Sequence, residues 1–248
     1  MKQFLKPSIE DLCLDYVLIQ AWKKTSSYLR THSWYADTLE LDYESLRLPD
    51  FIKEIQERLR EPENWEPRPI MLVPAPKSQR WTYSNEGWKP REKVGKKIRP
   101  LAHVDIQDQV VATAIMMCLA DRVENELGDP RLSIKRADNR KRVLAYGHRL
   151  VCDKKDDGNL RHRWGNSMIY RQYYDDYRTF LERPKLVANA LKTDRDFEEQ
   201  SIEKDYEIAI VQSDISKFYD SVRPDLLWEK INKFKMRSEE DEFFNLAR

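Results

Sequence analysis

The sequence predicts an α+β fold, and three observations lead to that prediction. Apolar residues recur at three- and four-residue steps over 105–127, which is the spacing of one face of a helix. Short apolar runs at 70–73 and 208–211 have the length of strands rather than helices. Proline and glycine separate many of these segments from their neighbours. A chain with 40% hydrophobic residues can bury a core around such elements.

Length and composition exclude several classes of protein. The 248 residues are enough for one or two domains. No run of about 18 apolar residues occurs, and charges interrupt the apolar stretches at the N-terminus, so neither a membrane span nor a secretory signal is expected. The three cysteines, Cys13, Cys118 and Cys152, lack the spacing of a disulfide framework or a metal site. We therefore expect a cytoplasmic protein without a membrane partner.

The N-terminal part is predicted to be helical. Apolar residues follow helical spacing over 9–29, and Ser8 with Asp11 indicates a cap at the start of that helix. A second helix is predicted over 51–60. Residues 70–73 then predict a short buried strand.

Two basic stretches are hidden in a net charge of only +1. Residues 76–99 carry eight Lys or Arg against two Glu, and residues 131–171 carry twelve against four acidic residues. The first stretch predicts a basic hairpin whose second strand spans 96–104, and aromatic residues are interleaved with it, namely Trp81, Tyr83 and Trp88. Such a pattern suits a nucleic-acid groove, although a charged run is also typical of a solvated face.

The clearest pattern in the sequence predicts a long helix over 105–127, with Asp105 at its start and Gly128 after its end. Further along, the pattern predicts a strand over 142–152 and a helical aromatic stripe from 170 that ends near Pro184. A short helix over 184–191 and an acidic loop over 193–207 complete this part.

A strand buried on both faces is predicted over 206–213, and Asp214 stands at its carboxyl end. A carboxylate held at a strand end is a typical Mg²⁺ ligand, but two-metal phosphoryl transfer needs at least one more. An Asp in this position can also simply cap the following turn. An amphipathic helix is predicted from Pro224 onwards.

Three segments together resemble a known family. Residues 210–222, I-V-Q-S-D-I-S-K-F-Y-D-S-V, resemble the first palm motif of reverse transcriptases, most closely those of bacterial group II introns, retrons and defence systems. Residues 95–101, G-K-K-I-R-P-L, followed by 105–111, resemble the fingers motif and its long helix. Residues 145–149, A-Y-G-H-R, resemble the S-x-G-F-R element that comes next.

The resemblance covers about residues 93–230 and implies a partial right-hand polymerase. Its parts would be a helical N-terminal extension over 1–62, fingers with a family-specific insertion over 63–192, and the start of the palm over 193–248. The implied activity is RNA-directed DNA polymerisation, a two-metal nucleotidyl transfer of deoxynucleotides to a 3′-hydroxyl, in antiviral defence. Implied partners are an RNA template, a DNA primer or product, deoxynucleotides, and a cognate non-coding RNA or co-encoded defence protein.

The resemblance also implies roles for individual residues. Asp214 would be catalytic and would bind Mg²⁺, the cofactor, together with the Ile215 carbonyl. Tyr219 would block a ribose 2′-hydroxyl, with Phe218 beside it in the substrate site. The substrate-binding cations of the fingers would be Lys97, Arg99 and Arg149. From the residues alone, plainer roles stay open, since Tyr219 could be a core aromatic and Arg99 a solvated cation.

The sequence departs from the family at several points. Proline is missing after R-P-L, Gln109 replaces the usual Arg, and His148 replaces Phe. The second palm motif, [FY]-x-D-D, does not occur between Asp214 and Arg248, so we expect a chain cut before it and inactive by itself. The letters Y-Y-D-D occur earlier, at 173–176, where the helical aromatic stripe predicts a helix instead of a catalytic hairpin.

Two other functions compete with the polymerase. A non-catalytic nucleic-acid-binding module would bind RNA or DNA with a steep salt dependence and would not need Asp214. A metal-dependent nuclease would use Asp214 and Asp220 and would cleave without added nucleotides. Asp220 is also placed to cap the helix that follows it.

Overall fold

Helices and three small hairpins make up the structure, a computed structural model that describes residues 4–33, 38–76, 81–90, 98–131, 143–192, 209–215 and 218–248. The helices are α1 (Ile9–Leu12), α2 (Asp15–His32), α3 (Thr38–Leu46), α4 (Leu48–Leu59), α5 (Ile106–Leu127), α6 (Tyr173–Lys192), α7 (Phe218–Ser221), α8 (Pro224–Asn232) and α9 (Asp241–Leu246). The strands are β1 (Met71–Pro76), β2 (Trp81–Ser84), β3 (Gly87–Pro90), β4 (Ile98–His103), β5 (Cys152–Lys154) and β6 (Leu160–His162). The predicted α+β class is confirmed, because the described residues contain helices together with small antiparallel sheets.

Helix α5 is the central element, and its sequence accounts for both ends. Asp105 is the N-cap, and its side chain accepts a hydrogen bond from the backbone N–H of Gln107 at 2.9 Å. Gly128 follows the last turn with φ of 77°, a conformation that glycine adopts without strain. The helix predicted over 105–127 is therefore confirmed. At about 1.5 Å per residue it is ~33 Å long.

The hydrophobic core forms where α1 and α2 pack against α5, with α4 packed against α2. Phe243 and Phe244 of α9 belong to the same cluster of buried side chains, each no more than 1% exposed. Residues from the start, the middle and the end of the chain thus share one core. Burial of these apolar side chains supplies the main driving force for folding.

The predicted helix over 9–29 is two helices, so this prediction is wrong in detail. Ser8 caps α1 as expected, because its hydroxyl accepts from the backbone N–H of Asp11 at 3.2 Å. Leu14 then adopts an extended conformation and separates α1 from α2. Gln56 of α4 compensates the break, since its amide donates to the carbonyl of Cys13 at 2.6 Å. The helix predicted over 51–60 is confirmed as α4.

The basic region consists of one hairpin inside another. Strands β1 and β4 pair antiparallel, with Met71 opposite His103 and Pro76 opposite Ile98. Between them in the chain lies the β2–β3 hairpin. The predicted burial of 70–73 is wrong, because Met71 and Leu72 are 57% and 69% exposed.

The region after α5 differs from its prediction in two places. No strand begins before Cys152 in the part of 142–152 that the structure describes, and His148 instead has a positive φ of 53°. The aromatic stripe predicted from 170 becomes helical only at Tyr173. Pro184 lies inside α6 and does not end it, so the stripe and the short helix predicted over 184–191 are one helix. The loop predicted over 193–207 lies outside the described residues.

The predicted palm strand is not formed in its described part. Residues 209–215 adopt neither helix nor strand, and Ile210 and Val211 are 59% and 89% exposed. A strand buried on both faces needs neighbouring strands to form a sheet and packed layers above and below that sheet. No described strand pairs with this segment. The helix predicted from Pro224 is confirmed as α8.

None of the helices in the described ranges is long and apolar enough to cross a membrane.

Candidate nucleotide-addition site

Asp214, Ile215 and Phe218, three of the residues that the palm resemblance singles out, lie on the surface. Asp214 is exposed in the segment 209–215, and Ile215 is 64% exposed beside it. Phe218 begins α7 with its ring half-exposed, and Tyr219 is the next residue of that short helix. Asp214 is therefore accessible to a substrate or an ion from solvent.

The described residues do not assemble the magnesium site that the resemblance implies. Nowhere in these parts of the chain do three or more His, Cys, Asp or Glu side chains come together in a group that could hold a metal ion. Two-metal chemistry needs several carboxylates around a pair of cations, and Asp214 supplies one. Asp214 therefore provides one accessible carboxylate, without the further ligands that such a site needs among the described residues.

The structure describes two of the three predicted fingers cations. Lys97 lies outside the described residues. Arg99 lies in β4, where its backbone pairs with Ala75 of β1. Arg149 is instead buried behind the end of α5, with 2% of its surface exposed. Arg149 is therefore not exposed to a phosphate group in solution.

Hydrogen bonds within the protein occupy the Arg149 guanidinium. Its Nε donates to Glu124 Oε2 at 2.9 Å, and its two terminal nitrogens donate to the carbonyls of Ala145 at 2.7 Å and Gly128 at 2.5 Å. The other carboxylate oxygen of Glu124 accepts from the backbone N–H of Leu150 at 2.9 Å. This buried network joins the C-terminal end of α5 to the 145–150 segment, which is a structural role.

The Y-Y-D-D letters at 173–176 lie in the first turn of α6, as the sequence predicts. Asp176 is buried, and its carboxylate pairs with Nε of Arg171 at 3.0 Å. Burial raises the pKa of Asp176, while the charges of Arg171 and Arg149 oppose that rise. Asp175 is exposed. The motif letters are thus a helix start and not a metal-binding hairpin.

Sequence reasoning missed a buried lysine in α2. Lys24 is fully buried, and its ammonium donates to the carbonyls of Asn166 at 2.6 Å and Met168 at 2.8 Å. Burial lowers the pKa of Lys24 to about 8. The available signal was its position in the helix, because Lys24 shares a face of α2 with the buried residues Val17 and Ala21.

A histidine and a cysteine lie opposite each other in the β5–β6 hairpin near this lysine. His162 pairs with Cys152 in the register, and its Nδ1 lies 3.0 Å from the Val151 carbonyl. Burial, with the Lys24 charge, lowers the pKa of His162 to about 4. Burial, with the charge of Glu124, raises the pKa of Cys152 to about 12. A thiol this hard to ionise does not serve as a nucleophile at neutral pH.

Comparison with known proteins gives no family for this chain. The sequence matched no protein-family model and no curated protein, and no solved structure matched it. A functional assignment therefore depends on its own residues and their placement.

Proposed function

We propose that this chain supplies the fingers and the first palm motif of an RNA-directed DNA polymerase of the right-hand type. The observation that carries the proposal is the order of three motif-like segments, at 95–101, 145–149 and 210–222. Each segment alone is of limited specificity. All three in the family's order, with a long helix after the first, are much more specific.

The local architecture of the first segment is in keeping with this proposal. Strand β4 contains the R-P-L residues and pairs with β1, and the chain then enters α5 through the Asp105 cap. A basic hairpin followed by a long helix is the arrangement that the resemblance implies for the fingers. The long helix anchors that hairpin to the hydrophobic core.

In the proposed reaction, Asp214 and the Ile215 carbonyl would hold Mg²⁺, which would stabilise the charge of the reacting phosphates, and Tyr219 with Phe218 would contact the deoxynucleotide. Lys97 and Arg99 neutralise phosphate charge, because a triphosphate and a template backbone require cations nearby. The RNA template and DNA primer lie along the basic fingers. Arg149 is assigned a structural role instead, since its guanidinium bonds end on protein acceptors.

The test is Asp214→Asn in the protein as the cell makes it, with any sequence that follows Arg248. Incorporation of deoxynucleotides on a primed RNA template, measured with Mg²⁺ present, should fall to background. Asp175→Asn is the matched control, because Asp175 belongs to the Y-Y-D-D letters in α6 and should leave synthesis unchanged. Synthesis that survives Asp214→Asn would contradict the proposal, and so would its loss in a folded Asp175→Asn protein.

A second candidate is a non-catalytic nucleic-acid-binding module. The basic stretch over 76–99, with exposed Tyr83 and Trp88 in its β2–β3 hairpin, favours it. This candidate predicts nucleic-acid binding that weakens steeply with salt and is the same in Asp214→Asn. A nuclease would instead cleave with a divalent cation and without nucleotides.

A further inference from the structure

The β2–β3 hairpin is a small ribbon inserted between the two strands of the larger β1–β4 hairpin. Its register pairs Tyr83 with Trp88 and Ser84 with Gly87, and the turn between them contains only Asn85 and Glu86. Gly87 has φ of 96°, a conformation in which residues with side chains are strained. The glycine therefore permits the tight turn that sets Tyr83 opposite Trp88.

Two large aromatic rings are exposed on this ribbon. Tyr83 is 69% exposed and Trp88 is 67% exposed. Their ring centroids lie 5.4 Å apart at an interplanar angle of 66°, so the rings meet edge to face. An edge-to-face contact leaves most of the aromatic surface of the pair open to solvent. Tyrosine and tryptophan held this way are typical of a binding surface.

Charge indicates the chemistry of the ligand. The stretch 76–99 that contains the ribbon carries eight Lys or Arg and two Glu, a local charge of +6. Within the ribbon, Lys89 forms an ion pair with Glu86, so the excess positive charge belongs to the segments that flank the strands in sequence. A local excess of this sign attracts a polyanion and repels a basic partner.

We propose that Tyr83 and Trp88 form a stacking platform for the unpaired bases of a single-stranded nucleic acid. Unpaired bases expose their faces to aromatic side chains, whereas the bases of a duplex are already stacked on each other. The net positive charge of the stretch 76–99 in the sequence favours a ligand with a phosphate backbone. RNA and DNA share this chemistry, and the platform requires neither a metal ion nor Asp214, so the inference goes beyond the polymerase proposal.

Fluorescence anisotropy with labelled 16-nucleotide strands, without nucleotides or Mg²⁺, tests the platform. Trp88→Ala should weaken binding by roughly 5- to 100-fold, and the Tyr83→Ala, Trp88→Ala pair should weaken it further. Trp88→Phe should retain most of the affinity because it keeps a ring at this position. Tyr43→Ala is the matched control, since Tyr43 is 56% exposed on α3, outside the ribbon.

Separate RNA, DNA and duplex probes give the outcomes that decide the proposal. Loss of affinity for either single strand with Trp88→Ala, restored by Trp88→Phe, supports it and shows which nucleic acid the platform prefers. No binding by the wild-type protein, binding by the double variant within twofold of wild type, or an equal loss with Tyr43→Ala would overturn it. Asp214→Asn should bind like wild type, so failure of the polymerase proposal leaves this result intact.

Discussion

Arg149 offers the sharpest test of structural reasoning, because the family resemblance and the structure give it different roles. The resemblance makes Arg149 a cation near template or nucleotide, whereas the structure makes it the partner of Glu124 behind α5. The informative change is Arg149→Met, which keeps much of the side-chain length and removes the charge and all donors. The buried Glu124 carboxylate then loses its cation. It keeps the hydrogen bond from the backbone N–H of Leu150.

The size of the effect follows from burial. The side chains of Arg149 and Glu124 are 1% and 3% exposed, and their closest ion-pair atoms are 2.8 Å apart. Removing one partner of such a pair costs about 3–5 kcal/mol. This is a large part of the about 5–15 kcal/mol that stabilises a typical protein. For a chain of this size it corresponds to a fall in Tm of roughly 6–20 °C.

The assay is urea unfolding followed by far-ultraviolet circular dichroism, with nucleic-acid binding measured in parallel. Replacing both partners, as in Arg149→Met with Glu124→Met, should recover much of the lost free energy because no unpaired charge stays buried. Arg178→Met is the control, because Arg178 is 69% exposed in its pair with Asp175 and should change stability by less than about 0.5 kcal/mol. An Arg149→Met protein that is as stable as wild type but fails to bind nucleic acid would refute the structural role.

Two further predictions concern pH and the C-terminal segment. His162 has a pKa of about 4 in the folded protein, against an ordinary value of 6.5. As pH falls, the His162 imidazole is therefore protonated in the unfolded chain before it is protonated in the folded protein. The free energy of unfolding should fall by up to about 3 kcal/mol as pH drops from 6.5 to 4. Urea unfolding at several pH values should show this slope in wild type and in the exposed control His148→Ala, but not in His162→Phe; an unchanged slope in His162→Phe would contradict the assignment. Arg122 donates two hydrogen bonds to the Glu240 carboxylate, at 2.6 and 2.8 Å. These bonds lower the pKa of Glu240 from 4.5 to about 2. The stability that the pair contributes is therefore complete above pH 4.5 and is lost as pH falls through 2. Glu240→Gln should therefore speed hydrogen exchange in α9 at pH 7, whereas equal exchange in α9 of both proteins would show that the pair does not hold this segment.

Local sequence patterns determined several elements of this fold. Helix α5 could be predicted from 105 to 127 because its periodicity, its Asp105 cap and its terminal Gly128 all lie within the segment. The capping of α1 by Ser8 and the helical nature of the Y-Y-D-D letters in α6 were predicted in the same way. Signals of this kind act between residues at most a few positions apart, so no knowledge of distant contacts is needed.

Contacts between distant parts of the chain decided the rest. Arg149 is a cation in sequence, and only its packing beside Glu124 of α5, 25 positions away, makes it a buried structural group. The burial of Lys24 depends likewise on carbonyls 142 and 144 residues further along. The exposure of β1 and of 209–215 could not be predicted, because an apolar run does not show whether other elements cover it.

The sequence by itself determined the position of the long helix, the two basic stretches within a net charge of +1, and the three motifs on which the proposed function depends. The tertiary structure alone decided which of the described residues in those stretches are buried and which are exposed. Arg149 is buried in the protein, while Tyr83 and Trp88 are exposed to solvent. The physical reason is that residue type sets charge and local conformation, whereas burial depends on partners that only folding brings together.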